Sequence, residues 1–199
     1  MLVALLALMT VLALFALAAA PSLRQQAQRE NEIETIFRGE EVADAIRLYY
    51  SNQVRQRNLT GEVALPTSID QLLEGVPRDT KKVQILRPSA ARNPLSESGE
   101  WSLVRPHSAQ ISDFQSSVIL FAGNVRPPTN DPQLKQVEQV MAPPVIPTLG
   151  LSSAGSSSSG DDSSDGPFIG VATGSKRNAI IYYYGIDHLD GWVFTPLFR

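Results

Sequence analysis

His107 and His188 are the only imidazoles in the chain, so general acid–base chemistry near neutral pH would fall to one of them. His188 stands in IDHLDG between Asp187 and Asp190, which could orient its ring. A hydrolytic site also needs a nucleophile in the same pocket, and no Gly-rich phosphate loop, HExxH pair or other catalytic signature accompanies either histidine. The expectation is a surface turn before a strand at His188, no catalytic residue and no enzyme. Asp161, Asp162 and Asp165 offer hard oxygens to Ca²⁺, but their spacing is not that of an EF-hand. They read as a solvated linker, with no metal and no cofactor expected. There is no cysteine, which excludes a thiol nucleophile, a thiolate metal site and a disulfide framework. A formal net charge of −3 gives no support to nucleic-acid binding.

The strongest signal lies elsewhere. Residues 1–20, MLVALLALMTVLALFALAAA, carry no charge, no Gly and no Pro, and Thr10 is their one polar side chain. Twenty helical residues rise about 30 Å, the thickness of a bilayer's hydrocarbon core. Pro21 closes the run, and a charged helical pattern follows directly. The reading is a membrane helix over residues 1–21 that continues into water, with the lipid bilayer as its first partner. Cleavage after Ala20, as of a secretory signal, is the competing expectation; the run is longer than a usual signal core and has no basic residue before it. Arg24, Arg29 and Arg38 follow the run, which by the positive-inside rule alone would put the rest of the chain in the cytoplasm. A basic leader ahead of Met1 would reverse that.

Residues 22–57 read as helix, with Ile33, Ile36, Phe37, Glu40, Ala43, Ile46 and Tyr50 near helical spacing and Val42 and Tyr49 widening the stripe. The head is expected to pack on this stripe; another copy's helix is the alternative. Residues 58–125 form the first part of the head: a loop, then a short helix over 69–73 with Thr67 or Ser68 as N-cap and Gly75 near its end. Strand-like runs follow at 83–87, 100–105 and 114–122 (FQSSVILFA), and at 168–173, 179–184 and 192–198. Residues 126–166 are Pro-rich, with a short helix around 133–141, then nearly all Gly, Ser and Asp, and read as a flexible segment. Residues 167–199 supply the last strands. Trp101, Tyr182, Tyr183, Tyr184, Trp192 and Phe194 fall in these runs; strand alternation puts some in the core and leaves others exposed. A long helix, a short one and then strands predict an α+β fold, a long N-terminal helix packed on a small antiparallel sheet.

The apolar run closed by Pro21 resembles the N-terminal helix of type IV pilins and type II secretion pseudopilins. Within that family, QRENEIETIFRGEEVADAIRLYY is similar to a segment of pseudopilin-like proteins, matched here by Arg29, Glu30, Glu32, Phe37, Arg38, Gly39, Glu40, Ala45 and Ile46. LPTSIDQLLEG, GEWSLVRP, IGVATGSK and GWVF resemble later head segments in order. The resemblance implies a pilin-like fold and a single-pass inner-membrane protein with its head in the periplasm. It implies partnership with other pseudopilin or pilin-like subunits and with the secretion assembly platform. One departure stands out: with Pro21 aligned, the family's helix glutamate falls at Ala4. That leaves a membrane-anchored, pilin-fold binding protein outside any filament as the alternative.

Overall fold

A computed structural model describes residues 1–78, 81–127, 129, 131–140 and 166–198, without the side chains of residues 14–23, 139 and 140. The architecture is α+β: one long N-terminal helix and small antiparallel sheets. Helix α1 (Leu2–Arg57) is unbroken over 56 residues, a rise of about 84 Å. It ends at Asn58, which takes the left-handed conformation common just past a helix, with Arg55 and Arg57 in the last turn opposing the negative end of the dipole.

The second half of α1 fills the core. Val42, Ala45, Ile46 and Tyr50 are fully buried against strands β3 (Ser102–Val104), β4 (Gly170–Ala172) and β7 (Val193–Phe194), which form one antiparallel sheet in the order β3-β4-β7. At about 1.5–3 kcal/mol per buried large apolar side chain, this face supplies much of the tie between helix and head. Gly39 is where the approach is tightest. A Cβ there would lie 2.3 Å from the Phe194 ring, so only glycine lets β7 come this close to α1. A second ribbon, β5 (Asn178–Tyr183) and β6 (Ile186–His188), turns at Tyr184-Gly185; both residues have positive φ, as tight hairpins require. A third, β1 (Val76–Arg78) with β2 (Lys81–Val83), lies beside the end of α1.

Helix α2 (Ile69–Glu74) follows the expected pattern. Ser68 takes the N-cap position without a side-chain bond. The Thr67 N–H donates to Gln71 Oε1, and Gln71 Nε2 donates to Thr67 Oγ1, which closes the first turn instead. Gly75 ends the helix at φ 79°, and a Cβ on it would strike the Val83 carbonyl at 2.2 Å. Helix α4 (Leu134–Val140) buries Leu134 and Val137 completely.

Three expectations are corrected. Residues 114–122 are not a strand but most of helix α3 (Ala109–Phe121). Its buried residues Ile111, Phe114, Gln115, Val118 and Ile119 recur at helical spacing, which overrides the β-rich composition of the run. Of residues 83–87 only Val83 is in a strand, and of 192–198 only Val193 and Phe194 are, because a 3₁₀ turn over Pro196–Phe198 ends the chain. The apolar stripe of α1 is rotated from its expected position. Ile33 and Phe37 are more than half exposed, while Glu32 and Thr35 are fully buried.

Among the described residues, no helix is long and apolar enough to cross a membrane. The described apolar side chains of α1 reach residue 13, and the sequence stays apolar to Ala20.

Candidate functional site

The feature that sets this molecule apart is the free end of α1. Leu2, Val3, Leu5, Leu6, Leu8 and Met9 each keep more than half of their surface exposed, and every residue from 1 to 13 is exposed. Contiguous apolar surface of this kind marks an interaction site in a folded protein. Thr10, the one polar side chain, turns its hydroxyl back to the Ala7 carbonyl at 2.8 Å, so the helix presents almost no unsatisfied polarity to its surroundings.

Where α1 enters the head, a charged-looking sequence does the holding. Glu32 is fully buried, and its carboxylate accepts the backbone N–H groups of Ile180 (2.9 and 3.0 Å) and Ile181 (2.9 Å). Gln28 Nε2 donates to Glu32 Oε1 and to the Asn178 carbonyl. One carboxylate thus takes the place of a neighbouring strand along the start of β5, whose N–H groups would otherwise lack partners. On the other flank, Arg38 is paired with Glu34 at 2.7 Å and donates to the Arg92 carbonyl. Glu41 is paired with Arg87, whose guanidinium sits 5.4 Å from the centre of the Phe37 ring. That hydrogen-bonded guanidinium holds the Glu41 carboxyl below the usual carboxylate range. Farther along, burial pushes the Tyr50 phenol above its ordinary range, and its oxygen accepts the Gly61 N–H.

The segment that carried the family resemblance therefore has structural work at six of its nine matched positions. Glu32 anchors β5, Phe37 and Arg38 hold the 87–92 loop, Gly39 admits Phe194, and Ala45 and Ile46 lie in the core. Sequence reasoning missed Glu32 and Gln28 as anchors. The signal was present, since position 32 lies in phase with Ile36, Gly39, Ala43, Ile46 and Tyr50, but its charge argued against burial. Asn93, also missed, is buried; its side chain donates to the Thr173 carbonyl at 2.8 Å and accepts the Leu95 N–H.

The histidines are apart and exposed. His188 contacts Asn178 Oδ1 at 3.1 Å and Asp187 at 3.5 Å, and His107 pairs with Glu62 at 2.5 Å. No hydroxyl nucleophile is bonded to either ring among the described residues. Asp161, Asp162 and Asp165 lie outside the described residues. Among the described residues, no group of three His, Asp or Glu is placed to hold a metal ion. The aromatic residues divide between core and surface, and only Tyr182, Tyr183 and Phe194 of them lie in strands. Trp101, Trp192 and Phe194 are buried, Tyr183 and Tyr184 are half-buried, and Tyr182 is 70% exposed. Tyr183 centres the cluster, with its ring against those of Phe114, Tyr184, Trp192 and Phe194, and Phe194 in turn lies edge-on to Trp101 at 5.8 Å. An open groove of about 660 Å³ between residues 95–102 and 173–177 is lined by serines with Trp101, Glu97, Glu100 and Arg177. It holds charge but no nucleophile–base pair.

What the arrangement offers is an exposed apolar helix end continuous with a folded head. No family model, curated protein or solved structure matches the chain.

Proposed function

We propose that this chain is a pseudopilin-like subunit of a type II secretion or type IV pilus-like machine. The carrying observation is the single helix whose residues 2–13 are exposed and, Thr10 apart, apolar, while its second half packs into the core of the head. In this reading residues 1–21 store the subunit in the inner membrane as a single span, with the head in the periplasm. The same helix then packs against the helices of other subunits as a short filament is built on the secretion assembly platform. Lipid and helix surfaces are similarly apolar, so such packing rests on close contact of small side chains, here Ala4, Ala7, Ala13 and Ala16–Ala20 with Leu17 among them. The chain performs no chemical step. Energy for assembly would come from a separate ATPase.

The test uses the absence of cysteine. Ala7→Cys gives a chain with a single thiol. Mild oxidation of membranes carrying it is expected to yield a disulfide-linked dimer, whereas Thr60→Cys, in an exposed loop of the head, serves as the unlinked control. A monomer only, at every single-cysteine position tried from 2 to 13, would sink the assembly reading.

The uncharged Ala4 favours a second reading, an anchored binding protein that keeps the fold and stays outside any filament. An intramembrane carboxylate is costly without a partner, and where a subunit lacks one it lacks that pairing device. Ala4→Glu separates the two. Increased cross-linking through Ala7→Cys supports a filament that uses the contact, and no change in an already unlinked protein supports the anchored monomer.

A further inference from the structure

The far end of the head carries a concentration of positive charge that the assembly reading does not use. Arg55 and Arg57 are exposed on the last turn of α1, and Arg78, Lys81 and Lys82 are exposed on the β1–β2 ribbon. The two sets are stitched together. Asn52 Nδ2 and Gln56 Nε2 both donate to the Pro77 carbonyl, at 3.3 and 2.7 Å, fixing the ribbon beside the helix end. Among the described residues, one ion pair reaches the cluster, Lys82 to Glu74 at 3.6 Å, with both side chains about two-thirds exposed. Asp79 follows Arg78 in the sequence and lies outside the described residues. Counting it, five cations stand against two acids, in a chain where twenty Asp and Glu outnumber seventeen Lys and Arg.

Ordinary structural roles account for parts of this. Arg55 and Arg57 complement the helix dipole, and Lys81 and Lys82 blunt an open strand edge. Neither role requires the two sets to converge. Nor does either place Arg78 directly across the ladder from Lys81, a like-charge pair that costs stability. A local cost of this kind is expected where a surface is shaped for a partner.

We propose that this end of the head docks an acidic segment of a partner protein. Five cations on a rigid frame match a short run of carboxylates. The ribbon has no aromatic side chain on which bases could stack, and the body behind it is net acidic, which disfavours a nucleic acid. A lipid headgroup is disfavoured on the membrane-anchored reading, on which this clause rests, because α1 rises about 55 Å between residues 20 and 57. That distance is several times the screening length at physiological salt, roughly 8 Å.

The experiment is a fluorescence-anisotropy titration of the full chain in neutral detergent with a labelled decaglutamate peptide. A labelled 20-base-pair DNA duplex is run in parallel. The triple variant Arg78→Gln/Lys81→Gln/Lys82→Gln is compared with Arg92→Gln/Lys135→Gln/Lys176→Gln, which removes the same charge from exposed positions elsewhere. Thermal melts confirm that both fold. Peptide affinity is expected to fall at least tenfold in the first variant and less than twofold in the second. Equal losses in both, no peptide binding by the unaltered chain, or tighter binding of the duplex through the same residues would each overturn the proposal. None of these outcomes bears on cross-linking through Ala7→Cys.

Discussion

The two halves of α1 invert each other. Residues 2–13 are almost wholly apolar and exposed, whereas the segment that begins with RENEIET is rich in charge and buries Glu32 and Thr35 completely. Hydrophobicity of a segment tells what environment it wants; burial tells what the chain itself provides. The first half lacks its environment in the isolated chain; on the proposed reading it finds one in a membrane or another subunit. The second half obtains its environment by bonding every polar group it buries. Thr35 does so locally, donating to the Asn31 carbonyl at 2.7 Å, whereas Glu32 reaches across to Ile180 and Ile181.

Removing the Glu32 carboxylate should break the second half most severely. Glu32→Ala leaves two backbone N–H groups of β5 without an acceptor, at a cost of about 3 kcal/mol. Glu32→Gln keeps one acceptor oxygen and should cost about 1 kcal/mol. Denaturant melts give the totals, and amide exchange at Ile180 and Ile181 should rise more than at Val171 if the loss is local. Equal stability of Glu32→Ala and the parent chain would show that β5 does not depend on the carboxylate.

Gly39→Ala comes next. Helix propensity favours alanine by about 1 kcal/mol. The added Cβ would overlap the buried Phe194 ring, and overpacking of this kind costs about 1–3 kcal/mol or more. A net loss near 2 kcal/mol is expected, read as a lower Tm. A higher Tm would mean that β7 can retreat from α1 freely.

A smaller effect belongs to Glu41 and Arg87. The carboxyl is held below its ordinary range by the guanidinium, so the stability it contributes is present above that range and is lost as pH falls through the folded-state value. Melts between pH 6 and pH 3 should fall less steeply for Glu41→Gln than for the parent. Because Arg87 is largely exposed, solvent screening should keep the difference small. For Tyr50 the sign is opposite. Its raised phenol pKa contributes stability below the ordinary tyrosine range that is lost as pH rises through the folded-state value.

The same contrast explains what the sequence made legible. The extent of α1 was readable because thirty-odd residues of periodic pattern followed an unbroken apolar run. Its exact face was not, since Ile33 and Phe37 are the more apolar candidates, yet Glu32 and Thr35 are the ones buried. Phe37 instead lies under Arg87, a contact between α1 and a loop fifty residues away that periodicity cannot register. The strands of the β3-β4-β7 sheet are two or three residues long, too short for alternation to establish them. Helix α3 was concealed by its β-branched and aromatic run, although Ile111 just upstream of that run completes the helical spacing. The candidate site divides likewise. The apolar half was evident from twenty residues of composition, while the Glu32 anchor depends on Ile180 and Ile181, nearly 150 residues away.

On the proposed reading the apolar half of α1 serves surroundings outside the chain and contributes nothing to the head. Leu8→Asp tests it most directly when two quantities are read on the same protein: the fraction in membranes and the melting of the head in detergent. A charge near the middle of a membrane helix costs about 2.5–3.5 kcal/mol. The account predicts a large fall in the membrane fraction with head stability unchanged within about 0.5 kcal/mol. An unchanged membrane fraction, or a head that melts several degrees earlier, would contradict it.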